Sequence, residues 1–253
     1  MAGNAAKIRD GLGRAAAQGA RLVVFPEQAL GGYPALDLWE EPGFVDANVR
    51  QLKALARSVG ETAALVGFVD RNRGRGKPAA NAAALLHRGR VQAVRWKTLL
   101  PTYDVFDEAR YFEPAAGNAP IRFAGLRLGV SICEDAWAGA PGVRALYRLD
   151  PVRAQARAGV DLLLNLSSSP YERGKSRLRR ALFAAHAKRA GKPLLYCNLV
   201  GGNDDLIFDG DSLVLDGRGR LVARGALCRE DLVVVDTDAL PKPLPASSLP
   251  DDL

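Results

Sequence analysis

Residues 149–199, LDPVRAQARAGVDLLLNLSSSPYERGKSRLRRALFAAHAKRAGKPLLYCNL, decide the fold class. Leu149 to Ala158 reads as a helix that leads through Gly159 into an apolar strand, Val160 to Leu166. A longer helix, Lys175 to Ala190, stops at Gly191 and Pro193, and the strand Leu194 to Leu199 follows. Glycine just past a helix end takes the left-handed turn that frees the chain to reverse. Helix, glycine and strand in repeated succession describe a layered α/β domain.

The same alternation extends outward in both directions. Asn4 to Gln18 reads as a helix ended by Gly19, and Leu22-Val23-Val24-Phe25 as a short strand buried on both faces. Val45, Val49, Leu52, Leu55 and Ala56 fall at helical spacing within Phe44 to Val59. Strands are expected at Ala64 to Val69, Ala82 to Leu86, Val91 to Trp96 and Leu126 to Cys133. Ser212 to Leu215, Leu221 to Arg224 and Leu232 to Val235 complete them. Turns at Arg88-Gly89 and Asp216-Gly217 suit hairpins, so the sheets are expected to be mixed. Residues 240–253, LPKPLPASSLPDDL, carry four prolines and read as an extended linker.

At 253 residues with 48% hydrophobic and 25% charged residues, the chain buries a core without staples and is not a disordered segment. No apolar run approaches the roughly 18 residues a membrane span needs, and the start, MAGNAAKIRDGL, lacks the apolar core of a secretion signal. Three cysteines without CxxC spacing suit a reducing, cytoplasmic compartment. The net charge of +7 raises nucleic acid as a partner. Its densest cluster, from Arg173 to Lys192, lacks interleaved aromatic residues and reads as a solvated helix face. Neither a nucleic-acid nor a membrane partner is expected.

Three residues at strand ends are candidates for chemistry. Cys133 closes the apolar run Leu128-Gly129-Val130-Ser131-Ile132, where it is either a projecting nucleophile or a small buried hydrophobe. Its reactive form is the thiolate, which needs a base or a cation. His87 and His186 are the only histidines; neither has a supporting motif, and both read as surface or half-buried residues. A carboxylate base with a lysine near the developing oxyanion is the other arrangement. Glu27 follows the run LVVF and Pro26, and Lys97 follows Val94-Arg95-Trp96. Taken singly, each reads as an ordinary surface charge.

Taken together, Glu27 in VVFPEQALGGYP, Lys97 in WKTLLPTYDVFDEARYF and Cys133 in GVSICEDAW resemble the Glu–Lys–Cys set of the nitrilase, or carbon–nitrogen hydrolase, superfamily. They lie 70 and 36 residues apart, in the order of that family. The flanks, with SSSPYERGK and VGGNDDLIFDGDS, resemble the glutaminase domain of glutamine-dependent NAD synthetases. The resemblance implies hydrolysis of the L-glutamine side-chain amide through a Cys133 thioester. Glu27 would be the base, Lys97 the oxyanion partner and Glu108 a second, positioning glutamate. Tyr103, Ser169 and Lys175 fall on the glutamine-binding positions, with Ser167 and Ser168 as neighbours of the serine.

The resemblance further implies a four-layer αββα sandwich over residues 1–239 that assembles into homo-oligomers. Family members open with a strand before the helix that here starts near Asn4, so the sandwich is expected to lack its first strand. They also continue into an ATP- and Mg-dependent synthetase domain that uses the ammonia to amidate deamido-NAD. Gly201-Gly202-Asn203-Asp204-Asp205 superficially resembles its phosphate loop, but Val200 stands where a serine leads that motif, so it reads as a loop of the hydrolase domain. The chain is expected to need no cofactor of its own and to be unable to make NAD alone. A free-standing hydrolase of another small amide and an inactive interaction module are the alternatives.

Overall fold

Two left-handed residues, Arg88 (φ 48°) and Gly89 (φ 76°), turn the chain between two antiparallel strands. The computed structural model describes residues 1–138 and 146–245. They divide into two compact units, one running from Met1 to Asn118 and the other beginning at Ala119.

In the first unit, helix α1 (Ala2–Ala17) buries Ala5, Ile8, Leu12 and Ala15 on one stripe and ends before Gly19, which takes φ 78°. Strand β1 (Leu22–Val24) pairs in parallel with β2 (Ala63–Arg71), with helix α2 (Pro42–Arg57) between them in sequence. Pro42 opens α2 where no backbone donor is needed, and Asn48 accepts the Val69 N–H at 2.9 Å, tying helix to strand. Strands β3 (Ala79–His87) and β4 (Arg90–Trp96) extend the sheet antiparallel, giving the order β1-β2-β3-β4. Leu22 and Val24 are only half-buried, because β1 is the edge of that sheet rather than a central strand. A short helix, α3 (Glu108–Tyr111), and a 3-10 turn at Leu36–Glu40 were not legible in the sequence pattern.

The second unit opens with the hairpin β5 (Ile121–Phe123) and β6 (Leu126–Ile132). Helix α4 (Pro151–Arg157), capped by the Asp150 carboxylate on the Arg153 N–H, leads to β7 (Leu162–Ser167), parallel to β6. Helix α5 (Lys175–Ala190) has the bounds its sequence implies and leads to β8 (Leu194–Asn198), parallel to β7. Next come the separate hairpin β9 (Val200–Asn203) and β10 (Leu206–Asp209), then β11 (Leu213–Leu215) and β12 (Leu221–Arg224). The main sheet runs β12-β11-β8-β7-β6-β5 and is mixed, as expected. Phe183 of α5 lies 4.3 Å from the Tyr196 ring inside the core of this unit.

Two expectations are corrected. Leu232 to Val235 form no strand, for no neighbouring strand pairs with them among the described residues. The GGNDD segment is the end of β9 and the turn that joins it to β10, part of a hairpin rather than a free loop. The linker reading concerns residues 240–253, of which 246–253 lie outside the described residues; 240–245 hold no helix or strand.

Gly67 of β2 fixes where the chain after β1 can lie. A side-chain carbon there would meet the Pro26 carbonyl oxygen at 2.2 Å, the Gln28 nitrogen at 2.5 Å and the Glu27 Cα at 2.7 Å. All three are backbone atoms, and Leu30 N–H bonds the Gly67 carbonyl at 3.1 Å, so none yields easily. Gly67→Ala is therefore expected to lower the unfolding free energy by about 1–3 kcal/mol, the usual range for overpacking. Urea unfolding of the two proteins checks this, and equal midpoints and slopes would refute it.

Candidate active site

The segment crossing Gly67 delivers Glu27 into the interior of the first unit. Strand β4 ends one residue before Lys97, whose backbone N–H still bonds the Asn81 carbonyl of β3 at 2.8 Å. The N–H of Glu108, the first residue of α3, bonds the Pro101 carbonyl at 3.0 Å. Three chain segments thus converge, and their charged ends meet.

The Lys97 ammonium donates to Glu27 Oε1 and to Glu108 Oε1, each at 2.8 Å. Lys97 is 0% exposed and Glu27 1% exposed, so neither is the surface charge it resembled when read singly. The Asn81 amide donates to Glu27 Oε1 at 2.7 Å and to Glu108 Oε2 at 3.3 Å. The Tyr33 hydroxyl donates to Glu108 Oε1 at 3.0 Å. Burial pushes the Glu108 carboxyl up to about 7. The Glu27 charge adds to that rise, while Lys97 and Asn81 oppose it. Tyr103, expected in the substrate pocket, is 38% exposed in this unit and packs edge-on against Phe106.

In the second unit, Cys133 follows β6 and is 6% exposed. Its φ of 41° is in the left-handed region, which for a residue with a side chain costs of order 1–3 kcal/mol. The turn after it is held from several sides. The Ile132 N–H bonds the buried Asp135 carboxylate at 2.9 Å, and Glu134, also buried, accepts the Tyr147 hydroxyl at 2.8 Å. His186 of α5 contacts the Ala136 carbonyl through Nε2 at 2.6 Å. That histidine is buried rather than half-buried, and burial lowers its pKa, so it is a neutral structural group.

Ser169 is buried after β7, its backbone N–H bonded to Asn198 Oδ1 at 2.9 Å. Ser167, buried too, donates to Asn165 Oδ1 at 2.8 Å, and Ser168 is fully buried. Lys175 opens α5, its ammonium 3.8 Å from Glu172. The first unit thus gathers Glu27, Lys97 and Glu108, and the second carries Cys133, Ser169 and Lys175.

Sequence reading missed two parts of this chemistry. Asn81 was detectable as the lone polar residue in the strand run Ala79-Ala80-Asn81-Ala82-Ala83-Ala84. Arg179, assigned to a solvated helix face, is fully buried and pairs through both terminal nitrogens with Asp209. The carboxylates of Asp209 and Asp211 and the nearby Tyr196 hold its pKa above normal against its burial. Among the described residues no group of three or more His, Cys, Asp and Glu could hold a metal ion. No helix there is long and apolar enough to cross a membrane.

Residues 1–240 match the carbon–nitrogen hydrolase family. The chain belongs to that family. This hydrolase chain is 42% identical over 244 residues to the glutamine-dependent NAD(+) synthetase of Synechocystis sp., covering 94% of this chain and 44% of that protein. The glutamine-dependent NAD+ synthetase of Acinetobacter baumannii, solved with adenosine diphosphate, has a TM-score of 0.85 at 34% identity. That match covers 96% of this chain and 45% of the other. An amidase from Nesterenkonia sp. AN1 has a TM-score of 0.74 at 25% identity, covering 88% of this chain and 80% of that one. It is a glutamate-to-glutamine mutant showing covalent addition of the acetamide moiety of fluoroacetamide at the active-site cysteine. The nitrilase-like α/β fold is thereby shown, and the chain spans less than half the length of the NAD synthetases it matches.

Removing the cation from a buried pair leaves its partners uncompensated. Lys97→Met is expected to lower stability at pH 8 by about 3–5 kcal/mol. Lys97 opposes the rise of the Glu108 carboxyl, so without the ammonium Glu108 binds its proton still more tightly folded than unfolded, a contribution present at low pH and lost as pH rises. The deficit should therefore shrink toward pH 5, as Glu108 takes up a proton. Urea unfolding at both pH values checks the sign, and an equal loss at both would contradict it.

Proposed function

We propose that this chain hydrolyses the side-chain amide of L-glutamine and is the ammonia-supplying part of a glutamine-dependent NAD synthetase. The observation that carries the reading is the Lys97 ammonium buried between two carboxylates. A charge so desolvated is expensive to keep unless it has work at a developing negative charge. The family membership, and the NAD synthetases among its relatives, support the choice of reaction and substrate.

Cys133 Sγ attacks the amide carbon, and its proton passes to Glu27. The oxyanion of the tetrahedral adduct is stabilised by the Lys97 ammonium. Glu27 returns the proton to the departing nitrogen, so ammonia leaves and a glutamyl thioester remains. Water attacks the thioester carbon while Glu27 accepts one of its protons. Return of that proton to sulfur frees glutamate and restores the thiol. Glu108 keeps Lys97 in place, with its own charge set by burial. Tyr103, Ser169 and Lys175 are assigned to the glutamine head group, where a phenol, a hydroxyl and an ammonium suit its amine and carboxylate. The ammonia then serves amidation of deamido-NAD by a synthetase domain, the step for which ATP and Mg are implied.

Incubation with an electrophilic glutamine analogue should place one adduct on Cys133, found by intact and peptide mass spectrometry and prevented by excess glutamine. Cys133→Ala should abolish both the adduct and glutamine hydrolysis without loss of fold. Glu27→Gln should stop hydrolysis while leaving Cys133 slowly alkylatable. Turnover by Cys133→Ala equal to that of the parent would end the thioester mechanism. An adduct indifferent to glutamine but prevented by a simple aliphatic amide would favour an amidase of the Nesterenkonia kind.

A further inference from the structure

Asn81 touches every charged member of the cluster. Its carbonyl accepts the Lys97 N–H at 2.8 Å, and its amide nitrogen reaches Glu27 at 2.7 Å and Glu108 at 3.3 Å. We propose that Asn81 is the positioning residue of this site, its one amide group donating to each carboxylate so that both stay aimed at the Lys97 ammonium. The inference rests on the function proposed above.

Three observations favour it over a role in the sheet alone. First, Asn81 Oδ1 is buried without a hydrogen-bond partner. A side chain retained for the fold would have that acceptor satisfied, since buried polar groups nearly always are. Turning the amide over would aim Oδ1 at two carboxylates, so the orientation is fixed by charge. Second, its neighbours along β3 are alanines from Ala79 to Ala84, none long enough to replace it. Third, two glutamates on one ammonium repel each other, and donors reaching both relieve that repulsion. The groups facing Glu108 are Lys97, Glu27, Asn81 and Tyr33, and of these Asn81 is a neutral donor that also reaches Glu27.

The sign of the effect follows. A donor to a carboxylate favours its charged form, so loss of the amide raises the Glu108 pKa further from its already elevated value. A residue that merely fills space would leave that titration unmoved.

The test compares the parent chain with Asn81→Leu, which keeps the volume without donors. Asn81→Ser, too short to span both carboxylates, serves should the leucine variant not unfold cooperatively. Carbon-13 NMR of protein labelled at its glutamate carboxyls follows Glu108, and a chloroketone analogue of glutamine reports on Cys133. We expect Glu108 to titrate at higher pH in the variant. The maximal alkylation rate should fall about a hundredfold, as a small misplacement of catalytic groups can cause, with half-saturation within about twofold. A cooperatively folded variant with unchanged Glu108 titration and parental alkylation would overturn the proposal. A parent chain that is not alkylated at Cys133 would instead remove the glutaminase reading, and the Glu108 titration alone would still decide Asn81.

Discussion

One ammonium group out of reach of water sets the terms for the first unit. Glu27 and Glu108, each within hydrogen-bond distance, offset the cost of burying Lys97 there. The three charged groups, Glu27, Lys97 and Glu108, arrive on different segments: the crossing after β1, the end of β4 and the start of α3. Gly67 leaves room for the first, and the Asn81 carbonyl extends the β3–β4 ladder to hold the second. The third depends on Pro101 and Tyr33. Misplacing any of them would strand a charge in a low-dielectric interior, so the fold and the charge cluster enforce one another.

Much of this was legible in the chain itself. Gly191 and Pro193 bounded α5 correctly, and Arg88-Gly89 announced its hairpin, because such local signals depend on few neighbours. Glu27, Lys97 and Cys133 were found by their flanks rather than by their chemistry, since one glutamate beyond a strand looks like another. Periodicity failed where burial is polar. The inner face of α5 carries Ser176, Arg179 and His186 beside Leu182 and Phe183, and hydropathy assigns the first three to water. Their partners, Asp211, Asp209 and the Ala136 carbonyl, lie 35, 30 and 50 residues away in sequence. Only tertiary structure brings such pairs together.

Leu232 to Val235 failed for the opposite reason. The segment has strand composition, but a strand is a property of a pair, and nothing described is in register with it. Asn81 had a visible signal in its alanine run, yet its meaning required the two carboxylates.

The left-handed backbone at Cys133 sets stability against chemistry at a single residue. Glycine would occupy φ 41° without the steric penalty that cysteine meets there. Were this protein diversified and screened solely for endurance of heat, position 133 would be under pressure to become glycine, and the survivors would have discarded the sulfur that follows β6. A library built for robustness should therefore hold that codon fixed.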